Sequence, residues 1–65
     1  MEPHILRVIK EQRALNVKLN ALANFVKTNA FKCLDDEERR LLGKQLVAMR
    51  RYSDVLKLRI NKAVA

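Results

Sequence analysis

Three residues near the amino terminus could bind an anion. His4, Arg7 and Lys10 follow one another at intervals of three residues, a spacing that makes side chains neighbours on a helix surface. An Arg fork and a Lys point charge can grip phosphate oxygens, and a histidine ring can stack on a base. The strip indicates a phosphate-binding site, or else a solvated polar face at a frayed helix end.

A second polar series, Gln45, Tyr52 and Arg59, recurs every seven residues beside an apolar stripe, and Gln12 interrupts the other stripe of the chain. Polar groups at such positions commonly fix helix register or oligomer state. The alternative is that Gln45 and Tyr52 line a ligand pocket between subunits. The residues alone leave both interpretations open.

Four adjacent acids resemble helix-start chemistry more than a metal site. Asp35 and Glu38 have the spacing of a capping box, and Asp36 and Glu37 add negative charge where a helix begins. Calcium loops need interleaved acids and a glycine that this segment lacks. We therefore expect no bound metal here.

Catalytic residues are not grouped anywhere in the sequence. His4 has no Ser or Cys within a helical turn, and Cys33 is the only cysteine, so one chain can form no disulfide. We expect Cys33 to be a small apolar filler in a turn. The prediction is a protein that is not an enzyme, has no cofactor and binds its partner without chemistry.

Composition narrows the class of partner. The chain has 65 residues, 49% of them hydrophobic and 32% charged, and a net charge of +7. This predicts a single domain over residues 1–65 that favours anionic partners. Nucleic acid is disfavoured, because the aromatic residues are only Tyr52, Phe25 and Phe31, and both Phe occupy core-like positions. No segment could span a bilayer or direct secretion, so we expect a soluble, cytoplasmic protein with no membrane partner.

Apolar periodicity predicts an all-α fold of two long antiparallel helices, a helical hairpin with a short apolar turn. The first helix should start near Pro3, beside the favourable charge of Glu2, and end at Thr28 and Asn29, where Asn suits a left-handed cap. The second should run from Asp35 or Asp36 to about Asn61. The expected core positions are Ile5, Val8, Leu15, Leu19, Leu22, Val26, Leu42, Leu46, Met49, Leu56, Ile60 and Ala63.

Two details of the hairpin carry further expectations. The connection, residues 29–34, contains Ala30, Phe31, Cys33 and Leu34 and should plug the end of the hairpin. Gly43, inside the second helix, should have a closely approaching neighbour.

Each helix also has a second stripe that one hairpin cannot bury. A hairpin of this size is mostly surface, so other copies of the chain should complete its core and form a homo-oligomeric helical bundle. The second stripes are Ala14, Val17, Ala21 and Thr28 on the first helix and Leu41, Ala48, Val55 and Leu58 on the second.

The order of polar and apolar residues resembles a known family across nearly the whole chain. The residues that carry the likeness are Arg7, Val8, Glu11, Leu15, Leu19, Leu22, Phe25, Val26, Thr28, Phe31, Leu34, Leu41, Leu42, Gln45, Met49, Tyr52, Leu56, Arg59 and Ile60. In this order the chain resembles small helical-hairpin proteins of tailed phages that include anti-CBASS cyclic-nucleotide sponges.

That resemblance implies a homohexamer that sequesters cyclic dinucleotides, such as 3',3'-cGAMP, between neighbouring subunits and cyclic trinucleotides at separate three-subunit pockets. Depleting these messengers keeps the bacterial immune effector silent. The positions carried over to ligand binding are His4, Arg7, Lys10, Gln45 and Tyr52. The alternatives are a basic hairpin that inhibits a host protein or binds nucleic acid, and a purely structural assembly protein.

Overall fold

The computed structural model describes residues 3–64 and contains three helices in that range. Helix α1 spans Pro3–Phe25, a short α2 spans Asn29–Lys32, and α3 spans Asp36–Val64. Helices α1 and α3 pack side by side in a rod with extents of 46 × 15 × 15 Å. The predicted pair of long antiparallel helices is confirmed. The expectation for Glu2 lies outside the described residues.

Asp35 caps α3 as its spacing predicts. The backbone N–H of Glu38 donates to Asp35 Oδ1 at 2.7 Å, and the first turn of α3 carries three acids that suit the positive helix end. Arg39 also forms an ion pair with Asp36 one turn away. The end of α3 lies at Val64, three residues beyond the predicted Asn61, because nothing in this stretch breaks a helix.

The connection is more structured than a short apolar turn. Thr28 caps α2 by accepting a hydrogen bond from the N–H of Phe31, so α1 ends at Phe25, earlier than predicted. Asn29 begins α2, and no non-glycine residue among those described has a positive φ, so the left-handed cap at Asn29 was wrong. The rings of Phe25 and Phe31 meet edge to face with centroids 6.0 Å apart.

Of the four apolar residues of the connection that were expected to plug the end of the hairpin, only two are half-buried. Phe31 and Leu34 are half-buried, whereas Ala30 and Cys33 are exposed. The assignment of Cys33 as a filler was therefore wrong: it ends α2, where its N–H bonds back to the carbonyl of Asn29 and its side chain faces out.

The core of one chain contains few buried side chains. Ile5, Val8, Leu46 and Leu56 are buried, and Leu56 is fully covered. Ala63 is exposed because α3 extends past the start of α1. The remaining predicted core positions are half-buried: Leu15, Leu19, Leu22, Val26, Leu42, Met49 and Ile60.

Both second stripes face solvent in the single chain. All eight residues predicted for them are exposed, including Val17 at 70% and Leu58 at 68%. A Cβ placed on Gly43 would meet nothing within 4 Å, so none of the described residues is the close neighbour that was expected there. None of the described helices has an apolar stretch long enough to cross a membrane.

Candidate ligand-binding surface

Tyr52 and Glu11 join α3 to α1 along one edge of the hairpin. The Tyr52 hydroxyl donates a hydrogen bond to Glu11 Oε1, and both side chains are exposed. Tyr52 lies in the series that the sequence placed beside the apolar stripe of α3. Glu11, its partner, was not among the predicted site residues. This hydrogen bond therefore links α1 to α3 on the solvent-exposed side of their contact.

The heptad repeat extends this edge in both directions. His4 lies seven residues before Glu11, and Arg59 lies seven residues after Tyr52, so antiparallel packing places His4 and Arg59 at one end of the edge. At the other end, Lys18 and Gln45 correspond in the same way. We call this surface the Tyr52 edge and define it by His4, Glu11, Lys18, Gln45, Tyr52 and Arg59.

Glu11 and Arg59 both affect the pKa of Tyr52, the central residue of the Tyr52 edge. The hydrogen bond to Glu11 raises the pKa of Tyr52, and partial desolvation and the negative charge of Glu11 act in the same direction. The positive charge of Arg59 lowers the pKa of Tyr52 and so opposes them. The carboxylate of Glu11 and the guanidinium of Arg59 are thus both within electrostatic range of the Tyr52 ring.

The predicted strip at the start of α1 divides between two faces. Arg7 lies one turn before Glu11 and adjoins the Tyr52 edge, whereas Lys10 is rotated from Glu11 by about 100° and points toward another side. Both are exposed, and neither forms a hydrogen bond or ion pair with another described residue. Arg7 and Lys10 are exposed to a ligand, and the helical spacing places only Arg7 next to the Tyr52 edge.

Gln45 is separated from the centre of the edge. Its Nε2 approaches Met49 Sδ at 3.9 Å, and its position seven residues before Tyr52 corresponds to about 10 Å along the helix axis. His4 stands about as far from Glu11 in the other direction. The predicted site residues are therefore spread along the rod, and one chain does not enclose a ligand with them.

A polar pair inside the hairpin sets its register. Gln12 Nε2 donates to Ser53 Oγ at 3.5 Å, and Ser53 is only 3% exposed. The interpretation of Gln12 as a register-fixing residue agrees with this contact. The sequence analysis missed Ser53, although its place between Leu46 and Leu56 on the buried face of α3 was a usable signal.

Potential catalytic and metal-binding groups lie apart in the described chain. His4 is at the open end of the hairpin and Cys33 is at the closed end of a molecule 46 Å long. Among residues 3–64, no three His, Cys, Asp or Glu side chains group together as metal ligands.

An open groove of about 680 Å³ lies on the outer face of α3, away from α1. Three basic residues border an apolar floor in it. The lining residues are Arg40, Gly43, Lys44, Val47, Ala48 and Arg51.

Comparison with known proteins identifies a family. The model of the Sequestin family matches residues 2–62, which is nearly the whole chain. The chain belongs to the Sequestin family. The name of the family indicates a sequestering function. Neither the curated proteins nor the solved structures include a significant match to this chain.

Proposed function

We propose that this Sequestin-family protein sequesters cyclic dinucleotides, such as 3',3'-cGAMP, between subunits of a homo-oligomer and so blocks the CBASS immunity of a phage-infected bacterium. Cyclic trinucleotides are the second proposed ligand class. The family match over residues 2–62 carries the proposal, because it supplies the sequestering role. The net charge of +7 supports an anionic ligand.

The chemistry of the Tyr52 edge suits a nucleotide. An aromatic ring can stack on a base, and a carboxylate such as Glu11 can accept hydrogen bonds from a base's amino group. Arg7 and Arg59 can form charge-assisted bonds with phosphate oxygens. A cyclic dinucleotide carries two bases and two phosphates, so each half of the ligand would meet one such set.

The spread of these groups along the rod supports a site between chains. One hairpin leaves all six residues of the Tyr52 edge exposed, whereas ligand sites are typically concave and enclose most of the ligand. A second copy facing the first would supply the missing wall. Two-fold pairing of chains would also match the two-fold symmetry of many cyclic dinucleotides. We propose six subunits on the resemblance to phage sponges.

Calorimetric titration with a panel of cyclic di- and trinucleotides tests the proposal. We expect saturable binding of at least one cyclic dinucleotide, at fewer than one ligand per chain because each site is shared. The linear dinucleotide is the matched control and should bind more weakly, since it must lose more conformational freedom.

The alternatives predict other results. A basic hairpin that binds nucleic acid would show affinity for oligonucleotides that falls steeply with added salt, with no preference among cyclic nucleotides. An inhibitor of a host protein or a purely structural assembly would bind none of these ligands. Either pattern would contradict the proposal.

A further inference from the structure

The outer face of α3 carries an unpartnered heptad repeat. Positions spaced alternately by four and three residues form a straight stripe on a helix, which is the pattern of a coiled-coil contact. Four apolar members of this stripe are exposed in the single chain, at 46% for Leu41, 51% for Val55 and 68% for Leu58. The fourth is Ala48.

The same stripe contains four charged residues, one at each end and two in the middle. Glu37 stands at the start of α3, Lys62 stands near its end, and Lys44 and Arg51 alternate with the apolar positions. All four are exposed. We call the eight residues the outer heptad. It is acidic at one end and basic at the other.

We infer that the outer heptad is a docking surface for a second copy of this chain, with the two α3 helices antiparallel. Reversing the stripe about the midpoint between Ala48 and Arg51 places every member opposite another member. Glu37 of one chain meets Lys62 of the partner subunit, and Leu41 meets Leu58 of the partner subunit.

In this register, the basic residues in the middle of the outer heptad lie opposite apolar residues of the partner subunit. Lys44 lies across Val55 of the partner subunit, and Arg51 lies across Ala48 of the partner subunit. Long basic side chains can lay their methylene stems over apolar surface and keep the charge in water. The groove beside Lys44 and Arg51 gives the facing helix room to approach.

Charge favours this arrangement over a parallel one. A parallel pair would place Glu37 beside Glu37 and Lys62 beside Lys62, adding repulsion to two chains that each carry +7. The antiparallel pair sets acid against base at both ends and opposes the helix dipoles. The four exposed apolar residues of the outer heptad become covered at the same time. Exposed apolar patches are characteristic of interaction surfaces.

Disulfide trapping tests the direction and the register together. In a Cys33→Ser background, the double variant Leu41→Cys/Leu58→Cys should form a covalent dimer under mild oxidation. The two positions are about 25 Å apart on one helix, far beyond the reach of a disulfide, so any bridge must join two chains. The readout is the dimer band on a non-reducing gel, and no nucleotide is needed.

Three control variants make the result decisive. Leu41→Cys alone and Leu58→Cys alone should stay monomeric on the gel, because antiparallel pairing separates identical positions. The double variant Leu41→Cys/Val55→Cys belongs to a different register and should give little dimer. Dimers from a single variant, equal dimers from the shifted pair, or no dimer from the Leu41→Cys/Leu58→Cys variant would each overturn the inference.

A charge-reversal cycle provides an independent measurement in the otherwise native chain. Glu37→Lys and Lys62→Glu should each weaken self-association by roughly tenfold in sedimentation, since symmetry alters two ion pairs per interface. The combined variant should regain the original affinity. A combined variant as weak as the two single variants would overturn the pairing. Because neither readout involves a ligand, both can succeed even if the proposed nucleotide binding fails.

Discussion

Tyr52 is the only tyrosine of a chain that has no tryptophan, so its phenolate absorbance reports on a single position. Its hydrogen bond to Glu11 raises its pKa above the ordinary value for tyrosine, which is about 10. In a spectrophotometric pH titration we expect Glu11→Gln to bring the transition back toward that value. Glu37→Gln, on another face, is the control and should leave it unchanged. Identical titrations for wild type and Glu11→Gln would show that the bond does not form in solution.

The raised pKa of Tyr52 also predicts how stability depends on pH. The folded chain holds the phenolic proton more tightly than the unfolded chain does, so this contribution to the free energy of unfolding is present below about pH 10. It is lost as the pH rises through the raised pKa. The difference in unfolding free energy between wild type and Tyr52→Phe should therefore be constant near neutral pH and shrink above about pH 10. A difference that grows with rising pH would have the wrong sign.

A substitution at Arg7 distinguishes the two interpretations of the strip formed by His4, Arg7 and Lys10, which are a phosphate-binding site and a solvated polar face. If it contacts a phosphate, Arg7→Ala removes a charge-assisted bond worth about 1.5–3 kcal/mol at each of two equivalent places and weakens nucleotide binding by well over tenfold. Lys32→Ala, which removes an equal charge at the closed end, is the control. Calorimetric titration of both variants is the measurement. Equal affinities for the two variants would assign Arg7 to the solvated surface.

At the scale of single residues, the sequence located Tyr52 but not its partner. Heptad spacing placed Gln45, Tyr52 and Arg59 beside the stripe of α3, and Tyr52 forms a hydrogen bond across to α1. Finding Glu11 required the register of one helix against the other. That register depends on tertiary contacts such as the Gln12 and Ser53 bond, which no local pattern encodes.

The start of α3 depends on one carboxylate. Asp35 Oδ1 accepts the N–H of Glu38, so Asp35→Ala should lower the free energy of unfolding by about 1 kcal/mol. Asp54→Ala, in the exposed interior of the same helix, is a matched control for removing a carboxylate. Chemical denaturation of both variants measures the difference. An unchanged midpoint for Asp35→Ala would contradict the cap.

Gly43 lies inside α3 with open space around it. Because an added Cβ meets nothing within 4 Å, Gly43→Ala should raise the free energy of unfolding by about 1 kcal/mol through helix propensity alone. Thermal unfolding measures the gain. A loss of stability would instead show that another chain approaches Gly43 closely in the assembly.

Among the elements, long periodic segments were predictable and the connection was not. The two long helices follow from apolar repeats that persist over many turns, which are global properties of the sequence. The short α2 depends on one hydrogen bond between the Thr28 hydroxyl and the Phe31 N–H and on the packing of Phe25 against Phe31. Such hydrogen bonds determine the residue at which a helix ends. The spacing of apolar residues does not give helix ends to within a few residues.

The whole molecule has a small core and large exposed apolar stripes. Leu56 is the only fully covered large side chain in the described range, so Leu56→Ala should cost about 2–5 kcal/mol and unfold much of the hairpin. Leu58→Ala on the outer face of α3 is the matched control. It should leave the fold of a single chain intact and reduce self-association. Circular dichroism and sedimentation separate the two outcomes, and equal losses of helix in both variants would contradict this division.

A depletion and recovery experiment tests whether the protein sequesters the nucleotide without reacting with it. The protein is mixed with 3',3'-cGAMP and filtered, and the free nucleotide is measured before and after the protein is denatured. We expect the filtrate to lose nucleotide in proportion to added protein and denaturation to return all of it unchanged. Undiminished nucleotide in the filtrate, or recovery of a hydrolysed product, would rule out sequestration without chemistry.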